Sequence, residues 1–202
     1  MPAPSASPHQ TSYDLYLGSG QLRFVLRNPN HGVTLTGHDI AWVADDERCR
    51  LAFRDIAEVH LQTGNVGRST IATCRLTCAD GSTVVIMSSN SSGLQDDALD
   101  KLYVQFVYDL HARLAALKGA HIAFTAGFSE ARYRFGKVIC VVAGLFFIVM
   151  PTVLLLMTGA WSMVWALYLG VLLVWPLYRL MQANAPRAYE PGAIPPEVLP
   201  AG

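Results

Sequence analysis

From Val138 to Tyr178 the chain carries no Asp, Glu, Lys, Arg or His. No other feature limits its fold as much. A bilayer core about 30 Å thick is crossed by about 20 helical residues, and this run has room for two such crossings. Thr158-Gly159-Ala160 is the natural break, because Gly disfavours a helix interior. The spans then fall at 138–157 and about 161–181. Helices are expected because backbone polar groups find no water inside a bilayer. So short a connection makes the two helices antiparallel neighbours, a transmembrane helical hairpin.

The flanks of the run predict its orientation. Arg132, Arg134 and Lys137 precede the first span, Arg179 lies at the end of the second with Arg187 beyond it, and the connecting turn has no basic residue. The positive-inside rule places both termini in the cytoplasm. Trp161 suits the outer boundary, and Tyr133, Trp175 and Tyr178 the inner one. Arg132, Arg134 and Lys137 are also candidate contacts for anionic lipid head groups, each worth about 1 kcal/mol near a charged leaflet. Pro151 and Pro176 lie within the spans, where membrane helices tolerate proline. Small residues recur at four-residue spacing as Gly136, Cys140 and Gly144, and again as Ala166 and Gly170. Such faces let helices approach closely, either to pack the two spans together or to receive another membrane subunit. The run 138–178 holds no acidic, basic or histidine side chain of the kind that marks transport or proton-relay paths.

Outside the run, residues 1–137 mix charged and apolar residues as a soluble domain does. The net charge is zero, so nothing global points to nucleic acid, whose binders are strongly basic. The start, MPAPSASPHQ, lacks the basic and apolar regions of a signal peptide and reads, through residue 20, as a flexible leader. Four cysteines are present. Cys74 and Cys78 lie on one face of an alternating segment, with no second pair to complete a zinc site. They read as buried core thiols, and a cytoplasmic location disfavours a disulfide. The six histidines include no metal-enzyme spacing, and no nucleophile–base set emerges, so neither a cofactor nor catalysis is expected.

Short strands separated by turn signals are expected between Val33 and Ser88. The candidates are Ile40–Ala44, Arg48–Phe53, Ala57–Gln62, Ile71–Cys78 and Ser82–Ser88, with Gln21–Leu26 as a further one. Asp45-Asp46-Glu47 reads as a polar turn, and Asp80-Gly81 is the strongest hairpin signal. Gly64-Asn65-Val66-Gly67-Arg68-Ser69 reads as a loop joining strands, or as an anion cradle built from backbone N–H groups. A helix follows. Asp96, Asp97 and Asp100 suit its N-terminal end, and Leu99, Tyr103, Phe106, Leu110 and Leu117 form one apolar stripe. The segment His121–Phe124 and a basic linker, 127–137, lead to the spans. The tail, 182–202, has too many prolines for helix or sheet. Its Tyr189, Ile194, Val198 and Leu199 suit an extended segment laid along the soluble domain or a partner.

Strands, then one amphipathic helix, then a membrane tether, with Phe53-Arg54-Asp55-Ile56-Ala57-Glu58-Val59 at the start of a strand, resembles the pleckstrin-homology-like domains of bacterial membrane proteins. The resemblance covers about residues 33–125. It implies a small antiparallel barrel or sheet capped by one helix, spanning 21–126, and a location in a bacterial inner membrane. Phosphoinositide-binding members carry basic residues along the first hairpin, whereas Thr34–Val43 has no Lys or Arg. The resemblance therefore implies a protein-interaction or scaffolding role, with a protein partner or a second copy bound, rather than head-group recognition. The other expectation is an accessory subunit of a larger membrane complex, recognised through its hairpin.

Overall fold

Residues 72 to 78 show how the sequence builds its sheet. Ala72, Cys74, Leu76 and Cys78 are buried, and the residues between them are half exposed. That two-residue period makes a strand with one face in the core. The computed structural model describes residues 10–19, 31–44, 47–66, 69–90, 92–117, 121–159 and 161–200. The chain forms two units, Met1–Ala126 with Arg187–Gly202, and Gly127–Pro186.

Among the described residues, the first unit is built on a nine-stranded, mostly antiparallel open sheet. Its strands are β1 (Thr11–Ser19), β2 (His31–Leu35), β3 (Asp39–Ala44), β4 (Glu47–Ala52), β5 (Ile56–Val66), β6 (Ser69–Cys78), β7 (Thr83–Met87), β8 (Ala123–Ala126) and β9 (Arg187–Ala188). The order is β4-β3-β2-β1-β7-β6-β5-β8-β9. Two antiparallel meanders, β1–β4 and β5–β7, thus join through β1 and β7. β8 adds parallel to β5, and β9 antiparallel to β8. Between β6 and β7 the Asp80-Gly81 signal is realised. Gly81 sits at φ 85°, which glycine adopts without steric cost, and the Asp80 carboxylate accepts from the Ser82 N–H at 2.8 Å. Phe53–Asp55 form a single 3-10 turn leading into β5, with Phe53, Ile56 and Val59 buried.

Helix α1 (Asp97–Ala115) starts where Asp96 accepts from the Ala98 N–H at 2.9 Å, an N-cap that satisfies one otherwise unpaired donor. Its Tyr103, Phe106 and Leu110 are fully buried in one core with Leu15, Leu35, Leu61, Leu76 and Ile86. Phe106 meets Tyr13 edge to face at 5.6 Å. Asp109 pins the helix to β1, accepting from the Tyr13 hydroxyl at 3.2 Å and pairing with Arg113 at 2.8 Å.

The second unit contains two helices long and apolar enough to cross a membrane, Glu130–Thr158 and Met163–Ala183. The first runs as α2 (Glu130–Gly144), a π-helical turn at Leu145–Val149, and α3 (Met150–Thr158). Pro151 has no N–H to offer the carbonyl four residues earlier, and the π turn ends two residues before it, a rare form found mostly as a single turn within an α-helix. Gly159, at φ 63°, ends α3, and α4 (Met163–Ala183) returns.

Several expectations need correction. Thr11–Ser19, assigned to a flexible leader, is a central strand paired on both sides, because Tyr13, Leu15 and Leu17 alternate into the core. Helix α2 takes up most of the expected basic linker, beginning at Glu130 with Ser129 as its cap. The tail does enter sheet and helix, as β9 and a 3-10 turn at Pro196–Val198, since the residues between Pro186 and Pro191 keep their N–H groups. The sheet is open, with β4 and β9 at its edges, and a closed barrel is not shown. The candidate strand Gln21–Leu26 and the turn residues Asp45 and Asp46 lie outside the described residues.

Candidate functional site

In the second unit the basic residues gather at one end of the helical pair. Arg134 makes an exposed ion pair with Glu130 at 2.7 Å, an arrangement that adds little stability. The others lie on aromatic faces. The Arg132 guanidinium stands 4.9 Å from the Phe128 ring centre, the Lys137 ammonium 4.5 Å from that of Tyr133, and Arg179 5.2 Å from that of Trp175. Such contacts hold a cation by the ring quadrupole without neutralising its charge. Lys137 also borders a groove of about 510 Å³ between α2 and α4, with Cys140 and Val174 within it. Arg132 and Arg134 do not line that groove.

The small residues do not form one seam. Gly170 is buried, and a Cβ there would run into the Phe147 carbonyl. That carbonyl is the one Pro151 leaves without its usual donor, so the glycine lets α4 close on the distorted turn. A Cβ on Gly136 would meet the end of Met181. Cys140 and Ala166 are half-buried. Gly144 has open space before it and takes no part in close packing.

The first unit holds a polar cluster that the sequence reading missed. His111 is 1% exposed. Its Nδ1 lies 2.7 Å from the Val107 carbonyl oxygen and its Nε2 2.7 Å from the Tyr189 hydroxyl. Its ring packs 5.7 Å from Tyr189 and 5.2 Å from Phe124. Burial holds the imidazole pKa below its ordinary value and raises the Tyr189 phenol. The tail is further fixed by the Tyr189 N–H donating to the Phe124 carbonyl at 3.1 Å, by Arg187 with Glu197 at 2.8 Å, and by Thr63 donating to the Glu197 carbonyl at 3.0 Å. The spread of Tyr189, Ile194, Val198 and Leu199 signalled docking, and all four belong to or pack on the core. Nothing local to His111 marked it.

The remaining candidates have structural places. Gly64–Val66 lie in β5 and Ser69 opens β6, with Val66 opposite Ser69, so the backbone groups of these four residues serve a strand ladder, while Gly67 and Arg68 lie outside the described residues. Cys74 is a free, fully buried thiol whose pKa burial pushes up to about 12, which makes it unreactive. The Ser88 hydroxyl accepts from the buried Ala72 N–H at 3.0 Å. Among the described residues, no three His, Cys, Asp or Glu side chains converge as metal ligands would.

In comparisons with known proteins, no family model and no curated protein matches the chain.

Proposed function

We propose that the chain is a membrane-anchored interaction module. In this reading the two apolar helices cross a bacterial inner membrane as a hairpin, and the first unit is displayed at its cytoplasmic face. The observation that carries it is the pairing of β8 with β9, Thr125 opposite Ala188 and Ala126 opposite Arg187. The whole apolar hairpin lies in sequence between two hydrogen-bonded strands, so a folded module holds both of its ends. Arg132, Arg134, Lys137 and Arg179 mark that end as cytoplasmic and suit anionic head groups.

The module is a pleckstrin-homology-like fold in this reading, supported by its four-strand and three-strand meanders followed by a core-covering helix. Its role is to bind a protein partner or a second copy, without catalysis. The edge strand β4 exposes Glu47, Arg48 and Arg50, and among the described residues no strand pairs with its outer side, which suits an added strand.

The test is a pull-down in mild detergent with the full chain, compared with a soluble variant in which Asn-Gly replaces residues 127–186. Ala126 and Arg187 are antiparallel partners, which a two-residue turn can connect. Partners retained by the soluble variant support the module. Partners lost from a folded soluble variant would instead make the hairpin the recognition surface, as in an accessory subunit.

A further inference from the structure

We propose that the groove between α2 and α4 binds one anionic glycerophospholipid, its phosphate at Lys137 and one acyl chain along the groove. The proposal rests on the membrane reading above and adds a defined site to it. The groove is amphiphilic from end to end. Tyr133, Lys137, Tyr178 and Gln182 line one end, and Ile148 and Val171 the other. Its volume, about 510 Å³, falls within the roughly 300–1,000 Å³ typical of small-molecule sites.

Two further observations select a lipid of this kind. The first is charge. Glu130 is the only acidic residue between 127 and 186, and it pairs with Arg134. Lys137 has no carboxylate partner among the described residues; its ammonium rests on Tyr133. Arg179 stands over Trp175 of the same groove. The mouth therefore presents positive charge that a phosphate complements, and the Gln182 amide and Tyr178 hydroxyl, 3.0 Å apart, supply further donors for glycerol and ester oxygens. The second is length. Lys137 and Ile148 are eleven residues apart, about 16 Å along a helix, which matches one leaflet's share of a hydrocarbon core about 30 Å thick. A transmembrane helix from another protein would need no cation at this depth and would run past the mouth into the second leaflet.

The experiment uses the full chain in phosphatidylcholine vesicles. These carry a trace of either phosphatidylglycerol or phosphatidylcholine with a photoactivatable acyl chain, and adducts are mapped by peptide mass spectrometry. Phosphatidylglycerol should label the groove residues selectively. Lys137→Gln should reduce that labelling about fivefold, the worth of one basic side chain near a charged leaflet. Val174→Trp, which fills the groove, should abolish it, while Leu156→Trp, on an exposed face of α3, should leave it unchanged. Equal labelling by both lipids, labelling that survives Val174→Trp, or adducts joining a second chain in the groove would each overturn the lipid site. Alkaline extraction separates this outcome from failure of the anchor. A chain that washes off the vesicles refutes the membrane reading, whereas a retained chain without selective adducts refutes the lipid site alone.

Discussion

Tyr189→Phe isolates the hydrogen bond that ties the tail to the helix of the first unit. The Val107 carbonyl can only accept, so the His111 Nδ1 at 2.7 Å carries the ring proton. In the neutral imidazole the Nε2 is then an acceptor, and the Tyr189 hydroxyl donates to it at 2.7 Å. Phenylalanine keeps the ring and its packing on Phe124 and His111 but leaves the Nε2 of a buried ring unsatisfied. Such an orphaned group costs about 1–3 kcal/mol, a large share of a domain stability of about 5–15 kcal/mol. Urea unfolding of the soluble variant at pH 7.5 measures it. With a slope of roughly 2 kcal/mol per molar, the midpoint should fall by about 0.5–1.5 M at unchanged slope. Repeating the substitution in a His111→Leu background completes a double-mutant cycle. If Tyr189→Phe costs as much there as in the parent, or costs nothing in either, the hydroxyl does not act through His111 and the reasoning fails.

The same histidine sets a pH dependence. Its folded pKa is depressed by burial, so between that value and about 6.5 the unfolded state binds more protons and stability rises with pH; the stability should be fully present above pH 6.5 and decline as pH falls towards the folded pKa, and His111→Leu should flatten this part of the urea-midpoint profile. Phe106→Ala, at a fully buried position, should cost about 3–5 kcal/mol and lower the melting temperature of the soluble variant; an unchanged melt would place the helix stripe outside the core. Gly170→Val should lower the melting temperature of the full chain in detergent, since overpacking costs about 1–3 kcal/mol, while Gly144→Ala, facing open space, should not. Single cysteines at Ser129 and Gly159, in a chain freed of native cysteines, should react with an impermeant thiol reagent on intact cells only at Gly159; labelling at Ser129 alone would invert the proposed orientation.

What the sequence disclosed depended on how far apart the partners lie. The helical hairpin was legible because a charge-free run longer than one bilayer crossing has few alternatives. The β6–β7 hairpin was legible because alternation and Asp80-Gly81 act within a few residues. Strand β1 was not, since its signal is only Tyr13, Leu15 and Leu17, set between a Pro- and Ser-rich start and the glycines at 18 and 20. Its burial comes from β2, β7 and α1, the last some 90 residues away. Strands β8 and β9 are shorter still, and each exists because of a partner far off in sequence: Glu58 opposite Ala123, and Thr125 opposite Ala188. The His111–Tyr189 contact spans 78 positions, and a single histidine beside Leu110 on a helix gives no hint of it.

That long-range closure bears on the segment between β8 and β9. Thr125 and Ala126 leave the sheet opposite Ala188 and Arg187. Within the second unit, the Phe128 N–H donates to the Asn184 carbonyl at 2.9 Å, and at Gly127 a Cβ would lie 2.6 Å from the Ala185 carbonyl oxygen. Outgoing and returning backbones are thus already adjacent before α2 begins and after α4 ends, and glycine is required for that approach, since Gly127 also sits at φ 96°. If the apolar helices cross a bilayer, only an even number of crossings returns the chain to β9. A single crossing would strand Tyr189 and Val198 on the far side and leave His111 without its hydroxyl partner. If the helices cross a bilayer, the even count and the docked tail are therefore one constraint: whatever lies between β8 and β9 must bring the chain back to the side on which the first unit folds.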